Sequence, residues 1–89
     1  MRAVITVVGQ DKIGIIAEVS RVLSENKINI LDISQTIMQD MFTMIMLVDV
    51  EKSDVSFKEI SDRLDKLGEK LSLSIRIQHE DLFHSMHRI

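Results

Sequence analysis

Hydrophobic and polar residues recur along this chain with two different periods, which together predict four strands and two helices. Two-residue alternation and β-branched runs predict strands at residues 2–8, from Ile30 to about Gln39, at Phe42–Val50 and over residues 72–78. Helical spacing predicts a first helix from about Gly14 to Asn26 and a second from Ser56, where Ser56 and Glu59 form a capping box. Gly68 is expected to weaken the last turn of the second helix or to help end it.

The same periods predict which side chains share a face. In the second strand, one face is expected to carry Leu31, Ile33 and Ile37, and the other Asp32, Ser34 and Thr36. In the third strand, one face is expected to carry Phe42, Met44, Met46, Val48 and Val50, and the other Ile45 and Leu47. The apolar stripe of the first helix comprises Ile15, Ile16, Val19, Val22 and Leu23.

The predicted order of elements is βαββαβ, and it limits the topology to one arrangement. Each helix has a single apolar stripe, so both helices should cover the same face of the sheet. A right-handed crossover between the first two strands leaves room for one strand between them. These conditions predict an α+β, ferredoxin-like sandwich whose four-stranded antiparallel sheet has the order 4-1-3-2.

Two features of this topology favour a homodimer or a larger assembly. The second strand lies at an edge of the sheet, where unpaired backbone groups invite pairing with another copy. In addition, the apolar residues Ile45, Leu47, Ile5 and Val7 suggest that the sheet face without helices is partly covered. We therefore expect self-association.

Composition excludes several classes of function. The 89 residues are enough for one domain, and a net charge of −3, no basic block and three Phe as the only aromatic residues argue against nucleic-acid binding. The absence of cysteine excludes disulfides and thiolate chemistry. Neither a signal peptide nor an apolar run long enough to span a membrane is evident, so cytoplasmic localisation is expected. No cofactor motif, phosphate loop or nucleophile motif is present, which argues against an enzyme.

The turn from Gln10 to Gly14 is the strongest candidate for a binding site. It lies where a strand ends and a helix begins, and free backbone N–H groups gather there at the positive end of the helix dipole. A small carboxylate can dock on such a turn without any catalytic side chain. The turn therefore indicates a binding module.

The turn GQDKIGI, the helix after it and the strand entry KINILDIS resemble the ACT domain, a small regulatory ligand-binding module. The resemblance covers residues 2 to about 79 and is close to the small stand-alone ACT-domain proteins of unknown function. It implies an ACT-like domain at residues 1–80 and a C-terminal tail at residues 81–89 that packs or forms an interface. Ile13 stands where the family frequently has Pro.

The resemblance also implies where an effector, such as an amino acid, would bind between two copies. The ligand-binding residues it implies are Asp11, Ile13, Gly14, Ile15, Asn29 and Ile30. Gly14 would let the ligand approach the backbone, and the N–H groups of Ile13 to Ile15 would hold its carboxylate. Asp11 would take the ammonium group, and Asn29 would come from the partner copy.

Each of these assignments has a purely structural alternative. Asp11 is equally well suited to cap the first helix. Gly14 serves equally for close packing of the helix on the sheet, and Asn29 for a turn that bonds its own backbone.

The last eleven residues of the chain contain a histidine cluster for which we expect no metal. His79, His84 and His87, near Glu80 and Asp81, provide imidazole and carboxylate groups of the kind that bind zinc or nickel. Two or three ligands from one chain end make a poor site, however. The favoured role of the tail is packing through Leu82, Phe83 and Met86.

The sequence as a whole predicts a regulatory module that binds a small molecule, with an amino acid as the expected effector, and that acts as a homo-oligomer. The alternative is a protein–protein interaction module without a small ligand, in which the edge strand or the tail recruits a protein partner. A metal-dependent enzyme that uses the tail histidines is the least favoured interpretation.

Overall fold

The computed structural model describes residues 1–10 and 14–81, and within them the predicted order βαββαβ is confirmed. The elements are β1 (Arg2–Gln10), α1 (Ile15–Glu25), β2 (Asn29–Met38), β3 (Met41–Asp49), α2 (Phe57–Leu71) and β4 (Ser74–His79). Neither of the two helices in these residues has the length and apolar character needed to cross a membrane.

The strands form one antiparallel sheet in the order β2-β3-β1-β4. This is the predicted order 4-1-3-2 read from the other edge, so the ferredoxin-like fold is confirmed. β1 pairs with both β3 and β4, which explains why its residues are β-branched on both faces. β2 and β4 are the two edges of the sheet.

The core lies between the sheet and the two helices, on one face of the sheet. Ile5 of β1 lies opposite Met46 of β3, Val7 lies opposite Met44, and these side chains are fully buried. The helix residues buried in the same cluster are Ile15, Val19, Leu23, Ile60, Leu64 and Leu67. Both helices therefore cover the same face, as the single stripe on each predicted.

That arrangement corrects one expectation about the uncovered face of the sheet. Ile5 and Val7 were expected to extend the apolar surface there, but their register places them on the helix-covered face. The uncovered face instead carries Val4 opposite Leu47, and Ile45, which is 38% exposed. Two-residue alternation separates the two faces, but where both carry β-branched residues it does not say which one meets the helices.

The edge strand β2 contains a bulge that the alternation did not reveal. Its register to β3 shifts between Ile30 and Asp32, so Leu31 interrupts the pairing and is 44% exposed. Beyond the bulge, Ile33 and Ile37 lie opposite buried residues of β3, whereas Asp32 lies on the uncovered face. The predicted faces of β2 therefore hold from Asp32 onward, and Leu31 is an exception because it is the extra residue.

Helix α2 begins at the predicted Ser56 cap and ends three residues after Gly68. The Ser56 side chain accepts a hydrogen bond from the backbone N–H of Glu59 at 3.1 Å. The helix continues through Gly68 to Leu71, and Ser72 adopts a left-handed conformation after it. A Cβ on Gly68 would lie 2.7 Å from the carbonyl oxygen of Leu73. The absence of a side chain at Gly68 thus lets the chain turn back close to the helix at Leu73.

Candidate functional site

Gly14 starts helix α1 in a conformation that suits glycine. Its φ of +88° is left-handed, and apart from its chain neighbours no atom of residues 1–10 and 14–81 lies within 4 Å of where a Cβ would be. Its carbonyl accepts the backbone N–H of Glu18 at 2.9 Å, which closes the first turn. The N–H groups of Ile15 and Ile16 precede this hydrogen bond and have no carbonyl partner inside the helix. This end of α1 therefore presents donors and a positive dipole to a small anion.

A cavity of about 240 Å³ lies directly beside Gly14. Its walls come from the start of α1, from the far half of β2 and from the start of β3: Gly14, Ile15, Ile16, Ala17, Gln35, Ile37 and Phe42. Ile37 and Phe42 lie opposite each other in the sheet, so together they form the floor where the β2–β3 hairpin approaches the helix. The volume is below that of sites for drug-sized ligands and suits a small metabolite.

The cavity is apolar and carries no ionisable side chain among the described residues that line it. Gln35 supplies the one polar side chain of that set. The Gln35 amide and the backbone N–H groups at the helix start can hold the polar part of a small ligand, and the apolar walls can hold the rest of it.

The structure brings only part of the predicted site together. Gly14 and Ile15 line the cavity, whereas Asp11 and Ile13 lie outside the described residues, so their roles stay predictions. The capping alternative for Asp11 is untested for the same reason.

Asn29 and Ile30 lie at the opposite end of β2 from the cavity. Asn29 is exposed opposite Asp49, and Ile30 is half-buried opposite Val48. Asn29 lies six positions before Gln35, which corresponds to about 20 Å along a strand. Within one chain, therefore, Asn29 does not reach the cavity beside Gly14.

Four side chains of the cavity were missed or misassigned from the sequence. Ile16 was expected on the buried stripe of α1 but is 40% exposed at the cavity mouth. Phe42 and Ile37 were each predicted only as members of a strand face. Gln35 offered the one usable signal, because it is a polar residue between Ile33 and Ile37 on the helix-facing row of β2.

A second cavity, of about 420 Å³, lies at the other end of the sheet and is more highly charged. It is lined by Met1, Arg2, Asp49, His79, Glu80 and Asp81. Arg2 pairs with Glu80 at 2.6 Å, and the N-terminal ammonium group lies 3.5 Å from Asp49. The pKa of Asp49 is below its usual value, mainly because the Glu51 backbone N–H donates to its carboxylate at 3.0 Å. These charges compensate one another within the chain.

The predicted histidine cluster is only partly within the described residues. His79 stacks on the ring of Phe57, with centroids 4.1 Å apart, and His84 and His87 lie outside the described residues together with the rest of the tail from Leu82. Among residues 1–10 and 14–81, no three His, Asp or Glu side chains are grouped so that they could hold a metal ion.

Comparison with known proteins gives consistent matches over almost the whole chain. Residues 2–78 match the family model described as the ACT domain. A UPF0237 protein from Clostridium acetobutylicum is 61% identical over 89 residues, which is all of both chains. A UPF0237 protein from Methanocaldococcus jannaschii is 53% identical over 88 residues, covering 99% of this chain and 98% of the relative. The structure of an ACT domain protein from Streptococcus pneumoniae superposes with a TM-score of 0.81 at 40% identity and covers 93% of each chain.

Proposed function

Because the chain belongs to the ACT-domain family, whose members generally bind small-molecule effectors such as amino acids in regulatory proteins, we propose that it is an amino-acid-binding regulatory module. The observation that carries the proposal is the small cavity that opens directly beside the backbone donors at the start of α1. A free amino acid has a carboxylate for those donors and a side chain for the apolar walls. We assign the module no catalytic role of its own.

The binding site takes its polar contacts from the turn before α1. The backbone N–H groups from Ile13 to Ile15 hold the ligand carboxylate, and Asp11 holds the ammonium group. Gly14 lets the ligand approach closely, since a side chain here would project from a left-handed backbone into open space beside the cavity.

A second copy of the chain completes the site in this proposal. The sheet edge at β2 is exposed along residues 31–38 and includes Leu31, Ile33 and Ile37, which are 40–56% exposed. Antiparallel pairing of two β2 strands about a twofold axis reverses their direction. When the pairing is centred between Ile33 and Ser34, the backbone of Asn29 of the partner subunit lies opposite Met38, one residue beyond Ile37 of the cavity wall. In this register the Asn29 backbone approaches the cavity, whereas its side chain lies on the face of the sheet that the helices leave uncovered, because Asn29 is paired with Asp49.

Regulation follows from the position of the ligand at the boundary between two copies. A ligand that contacts both copies binds one pairing geometry more tightly than another and shifts the population toward it. The output passes either to another protein that recognises the favoured geometry or to the state of assembly itself.

Thermal unfolding in the presence of each of the twenty amino acids tests this function. A ligand at 100 times its dissociation constant adds about 2.7 kcal/mol of stability, which raises the unfolding midpoint measurably. Gly14→Val should abolish the rise, because the new side chain occupies the ligand's approach. Ser24→Val, at an exposed position on the same helix away from the cavity, is the matched control and should keep the rise. If none of the twenty shifts the midpoint, the amino-acid function is wrong.

The alternative is an interaction module without a small ligand, and the exposed edge of β2 favours it. An unpaired edge strand accepts an extended segment of another protein by adding a strand to the sheet. A protein that binds none of the amino acids and remains monomeric would support this second function.

A further inference from the structure

The row of side chains that β2 turns toward the helices contains one polar residue. Ile33, Gln35 and Ile37 lie opposite Met46, Met44 and Phe42, all of which are buried. An aliphatic residue at position 35 would continue the row and would fit its neighbours. Gln35 is exposed on this edge strand, and its amide makes no side-chain hydrogen bond to the residues that the structure describes. Covering this amide without a partner would cost free energy.

The rest of the cavity wall near Gln35 is uncharged. The cavity that Gln35 lines is also lined by Ile16, Ala17, Ile37 and Phe42. None of the described lining residues is ionisable. A charged ligand side chain placed against these groups would lose its hydration and would gain no counter-charge from them. An aliphatic side chain would instead bury apolar surface against the two Ile residues and the Phe ring.

We propose that Gln35 is a ligand-binding residue, and that the site selects amino acids with uncharged aliphatic side chains over acidic and basic ones. This inference rests on the proposed function and adds to it the class of ligand. The amide N–H of Gln35 donates to the carboxylate of the ligand, and its amide oxygen accepts from the α-ammonium group. Ile16, Ile37 and Phe42 hold the ligand side chain.

Calorimetric titration of the intact protein tests the selectivity. The aliphatic probes are valine, leucine, isoleucine and methionine, and the charged probes are aspartate, glutamate, lysine and arginine. The tightest aliphatic probe should bind at least about tenfold more tightly than any charged probe, because a difference of 1.4 kcal/mol corresponds to a factor of ten. A charged amino acid as the tightest ligand would overturn the selectivity while leaving the proposed function in place. Binding of no amino acid of either class would overturn both.

Two substitutions on β2 test the role of Gln35. Gln35→Met keeps the length of the side chain and removes the amide, and it should weaken binding of the tightest aliphatic probe by about tenfold or more. Thr36→Val is the control, because Thr36 lies on the opposite face of the same strand. It should leave the affinity unchanged. Unchanged affinity in Gln35→Met, with an unchanged unfolding midpoint showing that the variant is folded, would exclude Gln35 as a ligand contact.

Ile37 provides an independent test of the apolar wall. Ile37→Lys places a cation in the cavity, and it should shift the preference from aliphatic probes toward aspartate and glutamate. If the variant still prefers the aliphatic probes by the original factor, the ligand side chain does not contact this wall and the assignment is wrong.

Discussion

At the scale of single residues, two glycines are required for different physical reasons. Gly14 has open space around its Cβ position but a left-handed backbone, with φ of +88°. Gly68 lies inside helix α2, where the returning backbone leaves no room for a Cβ. The first requirement is conformational, and the second is steric, so the two residues should respond differently to the same substitution.

Gly68→Ala should destabilise the protein even though alanine is normally the better helix former. Helix propensity favours alanine over glycine by about 1 kcal/mol. The added Cβ would lie 2.7 Å from the Leu73 carbonyl oxygen, and relief of that overlap moves backbone, which costs typically about 1–3 kcal/mol. The unfolding free energy from urea titration should therefore fall. Lys70→Ala, at an exposed position in the same helix, should change it little; a stabilised Gly68→Ala variant would show that the loop after α2 adjusts freely.

At the scale of elements, a buried polar contact joins the two helices. Asn26, directly after α1, is 6% exposed and donates its side-chain N–H to the Val22 carbonyl at 2.7 Å. Its side-chain oxygen accepts a hydrogen bond from Arg63 on α2, and Arg63 also pairs with Glu59 at 2.9 Å. The contact fixes the end of α1 against the middle of α2. Because one member is buried, losing its partner is costly.

We expect Asn26→Ala to lower the free energy of unfolding by about 1–3 kcal/mol, since it removes both hydrogen bonds from a buried position. A double-mutant cycle with Arg63→Met separates the contribution of the contact between the helices from that of the bond to Val22. Coupling between the two substitutions should be well above experimental error. Strictly additive effects would mean that Arg63 does not stabilise the fold through Asn26. Arg21→Met, whose ion pairs lie within α1 alone, is the control for loss of a surface arginine.

The elements also show how far the sequence could lead. The alternation Phe42–Met44–Met46–Val48 predicted the buried face of β3 correctly, because a two-residue period maps directly onto the two faces of a strand. The bulge at Leu31 was missed, since one extra residue leaves the composition of the strand unchanged. The steric requirement for glycine at position 68 was missed because the Leu73 carbonyl, which leaves no room for a Cβ, lies five residues later in the chain. The cavity was missed in part because three elements build it, and only their packing brings Gln35 and Phe42 to Gly14.

At the scale of the whole molecule, exposed apolar side chains concentrate on β2 and beside it. A group of exposed aliphatic residues lies along this edge: Ile16 on α1 and Leu31, Ile33 and Ile37 on β2. Such groups on a small domain mark contact surfaces. The uncovered face of the sheet also carries exposed apolar side chains, which are those of Ile45 and Met41 on β3 and Met38 at the end of β2.

The chain therefore allows a matched test of which surface joins two copies. Ile33 and Ile45 are 40% and 38% exposed and lie on opposite faces of the sheet. Ile33→Lys should convert the proposed dimer into monomers, because a charge at the paired edge is buried without a partner. Ile45→Lys should leave the dimer intact. Sedimentation velocity over a range of protein concentrations distinguishes the outcomes, and the reverse pattern would place the contact on the uncovered face.

The two edges of the sheet differ in length, and this difference affects how many copies of the chain can join edge to edge. β2 has ten residues, whereas β4 has six and includes Arg76 and His79. A sheet with two equivalent edges can add copies without limit and build a fibril. Here a copy joined through the long edge would have only the short edge left to offer, and two such edges would bring their Arg76 side chains together, which disfavours further joining. Strand addition in the proposed dimer would thereby stop at a closed pair, and the protein would not polymerise through its sheet.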